Sequence, residues 1–117
     1  LCIRGNCDCE VDQMVLQFPI MADYAALWLN GHMVWATHGH VYNMDNHPPF
    51  QKGDILLHGH THIPAAQQFE DGYYYINPGS VSIPKAGSRN SYLVLEGSTF
   101  TLKAIEDGSV ISSFTVE

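Results

Sequence analysis

The chain has 117 residues, with five Lys and Arg against twelve Asp and Glu, a formal net charge of −7, and is 45% hydrophobic and 15% charged. Those proportions exclude a disordered or collagen-like chain, and the length fits one domain with a modest core. So few basic residues neutralise few phosphates, which disfavours a nucleic-acid partner, and no apolar run is long enough to span a bilayer.

In chain order, Leu1–Arg4 reads as a short buried strand ended by Gly5-Asn6. Because the chain opens on that run and on Leu rather than Met, the expectation is that either its natural N-terminus was removed or it is a piece of something longer. Asp12–Leu16 predicts a helical turn stopped before Pro19. Tyr24–Leu29 and Met33–Thr37 flank Asn30-Gly31, a strong two-residue hairpin signal. Asn43–Lys52, with Pro48-Pro49, reads as a loop, and Ile55–His58 as a second short buried strand closed by Gly59. Gln67–Glu70 and Tyr73–Ile76 flank Asp71-Gly72, a second hairpin signal. Ser91–Leu95, Thr99–Ile105 and Val110–Val116 predict a closing meander. Apolar strands without alternation are usually covered on both faces, and helices to cover them are nearly absent, so part of the domain is expected to be missing.

Seven His outnumber the five Lys and Arg, a balance that points to metal or proton chemistry. Three predicted strands end in candidate ligands: Asn6, then His38-Gly39-His40, then His60-Thr61-His62. Ligands of open sheets gather beyond the carboxyl ends of strands, so Asn6, His38, His60 and His62 are expected at one edge. His60 and His62 stand two apart, and an extended backbone would point both rings to one side. Imidazole and amide oxygen suit Mn, Fe, Ni or Zn. His32, His47 and His58 read instead as structural, lying after a turn, in a Pro-rich loop and within a strand. The three cysteines, Cys2, Cys7 and Cys9, are odd in number and contain no C-x-x-C, which argues against a disulfide framework and for a reducing cytoplasm.

Gly5-Asn6-Cys7-Asp8, Thr37-His38-Gly39-His40 and Gly59-His60-Thr61-His62 resemble, in order, the third, fourth and fifth motifs of the calcineurin-like metallophosphoesterases. Arg4–Asp8, Glu10–Met14, Phe18–Ile20, Gly59–Pro64 and Asn77–Lys85 are similar to the bacterial YfcE-type phosphodiesterases in particular, and the resemblance loosens after Asn90. It implies an α+β fold, with residues 1–117 the C-terminal portion of a single four-layer α/β/β/α sandwich, mostly β-strands here. It further implies a phosphodiesterase with two divalent metals, Mn2+ foremost (Zn2+, Fe2+ or Ni2+ also fit), and a metal-activated water. Asn6, His38 and His60 would hold one metal and His62 the other. Cys7 would stand where the wider superfamily carries a His proton donor, acting on the leaving group or merely standing by. Asp8, His40 and Arg4 would lie behind the ligands or face substrate. Asn77-Pro78-Gly79-Ser80 resembles a family turn whose simpler role is to shape a loop. Arg4, Lys85 and Arg89 would either meet a phosphate or be solvated surface charges.

The family's first two motifs, D-x-H and G-D, do not precede the third in this chain. Asp45-Asn46-His47 and Gly53-Asp54 spell them but are poor replacements. The first lies in a loop, and Asp54 starts a strand, at the end of the sheet opposite the site. Four neutral ligands hold two dications poorly, since nothing offsets their repulsion at about 3.5–4 Å. The chain alone is therefore expected to be inactive and to bind one metal at best. Its substrate as a whole protein would be a small phosphodiester. Two other readings stay open, a non-catalytic scaffold of the same fold and a single-metal binding protein, and a homo-oligomer stays open as well.

Overall fold

A computed structural model describes all 117 residues. The elements are α1 (Glu10–Val15), β1 (Tyr24–Leu29), β2 (His32–Thr37), β3 (Ile55–His58), β4 (Ala65–Gln68), β5 (Tyr74–Asn77), β6 (Ser91–Glu96), β7 (Thr99–Ala104) and β8 (Val110–Thr115). Two sheets form, five strands in the order β1-β2-β3-β5-β4 and three in the order β6-β7-β8.

The first hairpin forms where expected, and the second forms around Asp71-Gly72 with its first strand at Ala65–Gln68 and not at Gln67–Glu70. Asn30 and Gly31 take φ of 50° and 87°, the left-handed pair that a two-residue turn needs, and Leu29 faces His32 across it. The second turn is longer: Gly72 takes φ 85°, the Gly72 N–H donates to Phe69 O, and pairing starts at Gln68 opposite Tyr74. The strand β4 therefore begins earlier than its polarity suggests, at Ala65. The closing meander also forms as expected.

The two sheets bury one core. Val34, Ile55, Tyr74 and Ile76 of the larger sheet meet Phe100 and Val116, flanked by Leu27, Leu57, Leu93, Leu95 and Phe114. Each large apolar side chain so buried contributes roughly 1.5–3 kcal/mol. The strand β3 is covered on both faces, as its unalternating sequence requires, and Leu56 on the face away from this core is fully buried.

Leu1–Arg4 is a correction. It forms no strand, and Leu1 is 93% exposed. One backbone bond ties it down, from the Arg4 N–H to Ala22 O, and a strand requires a neighbouring strand's full ladder. The helix α1 buries none of its residues. Asp54 stands just before β3, at the end remote from Gly59, where its Oδ2 accepts from Trp35 Nε1 at 3.0 Å and from the Gln51 N–H at 2.8 Å.

The topology that matters is parallel pairing. The strands β2, β3 and β5 run side by side in one direction, with Thr37 opposite His58. The segments leaving β2 and β3 therefore emerge at the same edge of the sheet.

Candidate metal centre

His38 is the residue after β2, and His60 lies two beyond β3. The Gly59 N–H donates to the His38 carbonyl at 3.0 Å, which locks the two exits together. The Gly5–Asp8 turn approaches from the other side. It is held by the Asp8 N–H to Gly5 O at 3.1 Å, the Gly5 N–H to Asp8 Oδ2 at 2.6 Å, and Arg4 Nε to Asp8 O at 3.2 Å. Asp8 and Arg4 thus build the turn that presents Asn6.

Three donor atoms converge there. Asn6 Oδ1 lies 2.9 Å from His38 Nε2, which lies 3.2 Å from His60 Nδ1. The Asn6 amide is oriented on its other side by Nδ2–H to Cys7 Sγ at 3.6 Å. No three His, Cys, Asp or Glu side chains come together closely enough to hold an ion by themselves. The trio is complete only with the amide of Asn6.

His62 lines the same open cleft, of about 450 Å3, with Asn6, Cys7, Asp8, His38 and His60. Its ring makes no hydrogen bond to the trio. Its Nδ1 donates to Ile83 O at 2.6 Å, because a carbonyl only accepts, and that leaves Nε2 as the lone-pair nitrogen. The extended H-x-H backbone expected from the spacing is not what forms. His60 and His62 take φ of 66° and 63°, left-handed for non-glycine residues. Such backbone costs about 1–3 kcal/mol per residue and persists where surroundings hold it.

What holds it is Asn77, at the end of β5 and 1% exposed. Its Nδ2 reaches Thr61 Oγ1 at 3.0 Å, Gly59 O at 3.3 Å and Tyr75 Oη at 2.8 Å, while its Oδ1 accepts from the Gly79 N–H at 2.9 Å. Sequence reasoning saw the Asn77–Ser80 turn as loop-shaping but not the grip of Asn77 on the His60 loop. A polar residue ending the buried run Tyr74-Tyr75-Ile76-Asn77 was the available signal.

His40 stands behind the trio, its ring 5.4 Å from that of His38 and 6.3 Å from that of His60, and its buried Nδ1 has no partner. His32 and His47 bond loop carbonyls, Gly53 O and Pro48 O. His58 is buried against Tyr75 with ring centroids 4.7 Å apart, and its Nδ1 donates to Gly59 O.

Gly39 is packed between the two exits at φ 118°, and a Cβ there would lie 2.7 Å from His58 Nδ1 and 3.1 Å from His60 Cβ. Gly39→Ala is expected to lower the thermal midpoint by about 10 °C and weaken metal binding together, as calorimetry and a metal titration would read. An unchanged midpoint would refute the packing argument.

Residues 1–99 match the calcineurin-like phosphoesterase superfamily domain. The chain belongs to that superfamily. It is 41% identical to the Phosphodiesterase YfcE of Escherichia coli K12 over 116 residues, covering 99% of this chain and 62% of that protein. The E. coli YfcE phosphoesterase structure superposes with a TM-score of 0.93 at 41% identity, over 100% of this chain and 64% of that one. The zinc complex of Vps29 from Entamoeba histolytica shares the fold, with a TM-score of 0.56 at 19% identity, over 97% of this chain and 66% of that one. The chain thus spans less than two thirds of the E. coli relatives it matches.

Metallophosphoesterases imply divalent metals, and the donor set here fits one. Two donors about 2.1 Å from an ion at right angles stand about 3.0 Å apart, close to the separations in the Asn6–His38–His60 trio. Without a cation, and with the Asn6 amide as oriented here, the two contacts of His38 Nε2 cannot each have a proton of their own: a proton on Nε2 is shared, and one on His60 Nδ1 leaves Asn6 Oδ1 facing a lone pair. Asp8, the carboxylate bordering the cleft, is engaged by Gly5.

One ligand imidazole, His38, is held toward the neutral form that binds metal. Burial lowers the His38 pKa below the ordinary 6.5, and His60 and His40 lower it further, while Asp8 opposes them. Burial likewise lowers that of His58, against the raising effect of its bond to Gly59. An unfolded chain takes up these protons first as the pH falls. Stability is therefore full above about pH 6.5 and is lost as the pH drops through the lowered values. Thermal midpoints of the metal-free chain from pH 8 to 5 are expected to fall across that window. Metal affinity is expected to fall with them, because protons compete for the same lone pairs. A flat profile of affinity would sink the histidine assignment.

Proposed function

We propose that the whole protein is a metal-dependent phosphodiesterase that uses two divalent ions, Mn2+ foremost, on a small-molecule phosphodiester. Asn6, His38 and His60 would hold one ion and His62, through Nε2, the other. The convergence of Asn6 Oδ1, His38 Nε2 and His60 Nδ1 within 3.2 Å carries this reading. When bound, such ions polarise a phosphoryl oxygen and make water acidic near neutral pH.

The chain's own side chains do the rest. Asn77 and the Gly59 N–H hold the left-handed loop so that His60 and His62 are already in place before substrate arrives. Such preorganisation spares the reaction the cost of ordering the site. Cys7 orients Asn6 and sits in the open cleft, placed to give a proton to a departing alkoxide or aryloxide. The apolar cavities between the sheets are lined by no carboxylate, imidazole or amine, so they do not compete for this role. Three free thiols fit a reducing compartment, which supports a cytoplasmic setting. No helix is long and apolar enough to cross a membrane.

Hydrolysis of bis(p-nitrophenyl) phosphate by the purified whole protein with Mn2+, abolished by chelator and restored by metal, is the expected result. No turnover with Mn2+, Zn2+, Fe2+ or Ni2+ would overturn it. A second reading, a site for one ion only, is favoured by the neutrality of the donors. Equilibrium dialysis separates the two by a stoichiometry of one against two.

A further inference from the structure

The structure sorts the five basic residues of this acidic chain. Arg4 spends its Nε on Asp8 O within the Asn6 turn. Arg89 pairs with Asp107 at 3.7 Å. Lys52 lies beside Gly72, at the end of the sheet remote from His38, His60 and His62, and Lys103 lies in β7 of the other sheet. Lys85 alone borders the cleft of Asn6, His38, His60 and His62, and it forms no ion pair.

Its placement is fixed by the site itself. The Lys85 N–H donates to His62 O at 3.0 Å, and His62 Nδ1 donates to Ile83 O two residues earlier. Ser88 closes the following turn through its N–H to Lys85 O at 3.1 Å. The backbone of Lys85 is thus strapped to the loop that presents His62, while its four-carbon stem leaves the ammonium free to move over the cleft. Apart from Asp8 and Lys85, the lining residues are neutral. In a chain of net charge −7, an anion entering the cleft meets one side-chain cation, and it is this one.

We propose that Lys85 is a substrate-anchoring and specificity-determining residue. Its ammonium takes an anionic oxygen of a phosphodiester lying over His38, His60 and His62, and so selects anionic diesters over neutral phosphate esters. The proposal rests on the phosphodiesterase reading. It requires no covalent step by Lys85, only a charge-assisted hydrogen bond.

The test compares wild type, Lys85→Met and Lys85→Arg of the whole protein, metal-loaded, on bis(p-nitrophenyl) phosphate, with inorganic phosphate as competitor. Lys85→Met is expected to raise KM and the phosphate inhibition constant about tenfold, while kcat stays within about twofold and the thermal midpoint is unchanged. Lys85→Arg is expected to recover most of the loss. Higher salt is expected to raise KM for wild type but not for Lys85→Met. A solvated surface lysine would leave KM, inhibition and salt dependence unmoved, and that outcome overturns the proposal. So does a loss confined to kcat. Should wild type not turn over the diester at all, the phosphodiesterase reading fails on its own. Phosphorus NMR titration of inorganic phosphate then decides for Lys85: weaker binding to Lys85→Met upholds the anion anchor, and equal binding refutes it.

Discussion

His38→Ala is expected to reduce affinity for Mn2+ by about a thousandfold, roughly 4 kcal/mol, and to abolish measurable diester hydrolysis. His38 is the middle member of the trio, in contact with Asn6 Oδ1 and His60 Nδ1 alike, so its loss removes one donor and the atom that aligns the other two. Loss of an outer partner of a metal ligand typically costs 10–100-fold, and a central ligand costs more. The fold is expected to survive. His38 lies after β2 and outside the inter-sheet core, and burial already penalises its charged form, so the metal-free midpoint at pH 6 should hold or rise. Isothermal titration with Mn2+ and calorimetry of the metal-free protein read the two effects separately. Retained tight binding by a folded His38→Ala protein would remove His38 from the centre.

The second large effect lies outside the ligands. Asn77→Asp preserves volume and the acceptor for the Gly79 N–H, and the Thr61 and Tyr75 hydroxyls can turn to donate to it, but it deletes the donor to Gly59 O and sets a carboxylate against that carbonyl. One lost bond of about 1 kcal/mol, together with a buried charge facing a carbonyl oxygen, is expected to cost about 2–4 kcal/mol of stability. Released from its clamp, the Gly59–His62 loop is expected to leave the left-handed backbone, and metal affinity should drop about 10–100-fold. A destabilised protein with unchanged metal affinity would show that Asn77 serves the fold and not the site.

Much of the molecule is legible in its residues alone. The Asn30-Gly31 turn announces itself because a residue pair tolerant of positive φ is what a two-residue hairpin demands. The buried strand Ile55–His58 is visible as an apolar run without alternation. The ligand candidates Asn6, His38, His60 and His62 are legible because each comes after an apolar run and stands beside or near a glycine, and the tertiary structure brings all four to one cleft. These are local properties, set by φ preferences and by hydrophobic pattern within a few residues.

Other features rest on contacts between distant parts of the chain. Leu1–Arg4 has a strand's composition, but strand formation depends on a neighbour's hydrogen bonds, and one bond to Ala22 is not a ladder. The spacing of His60 and His62 says nothing of their left-handed backbone, which is imposed by Asn77 from β5 and by Ile83 and Lys85 from the turn beyond. The same holds for the cations. Arg4, Lys85 and Arg89 look alike in sequence, and only the partners the fold supplies separate a turn brace, a cleft-lining ammonium and a surface ion pair. The sequence by itself determined the elements and the chemistry of the donors, because side-chain type and hydrophobic period act locally. Tertiary structure alone decided which donors meet, at what backbone strain and beside which charge, because parallel pairing of β2 and β3 joins residues that the chain keeps more than twenty positions apart.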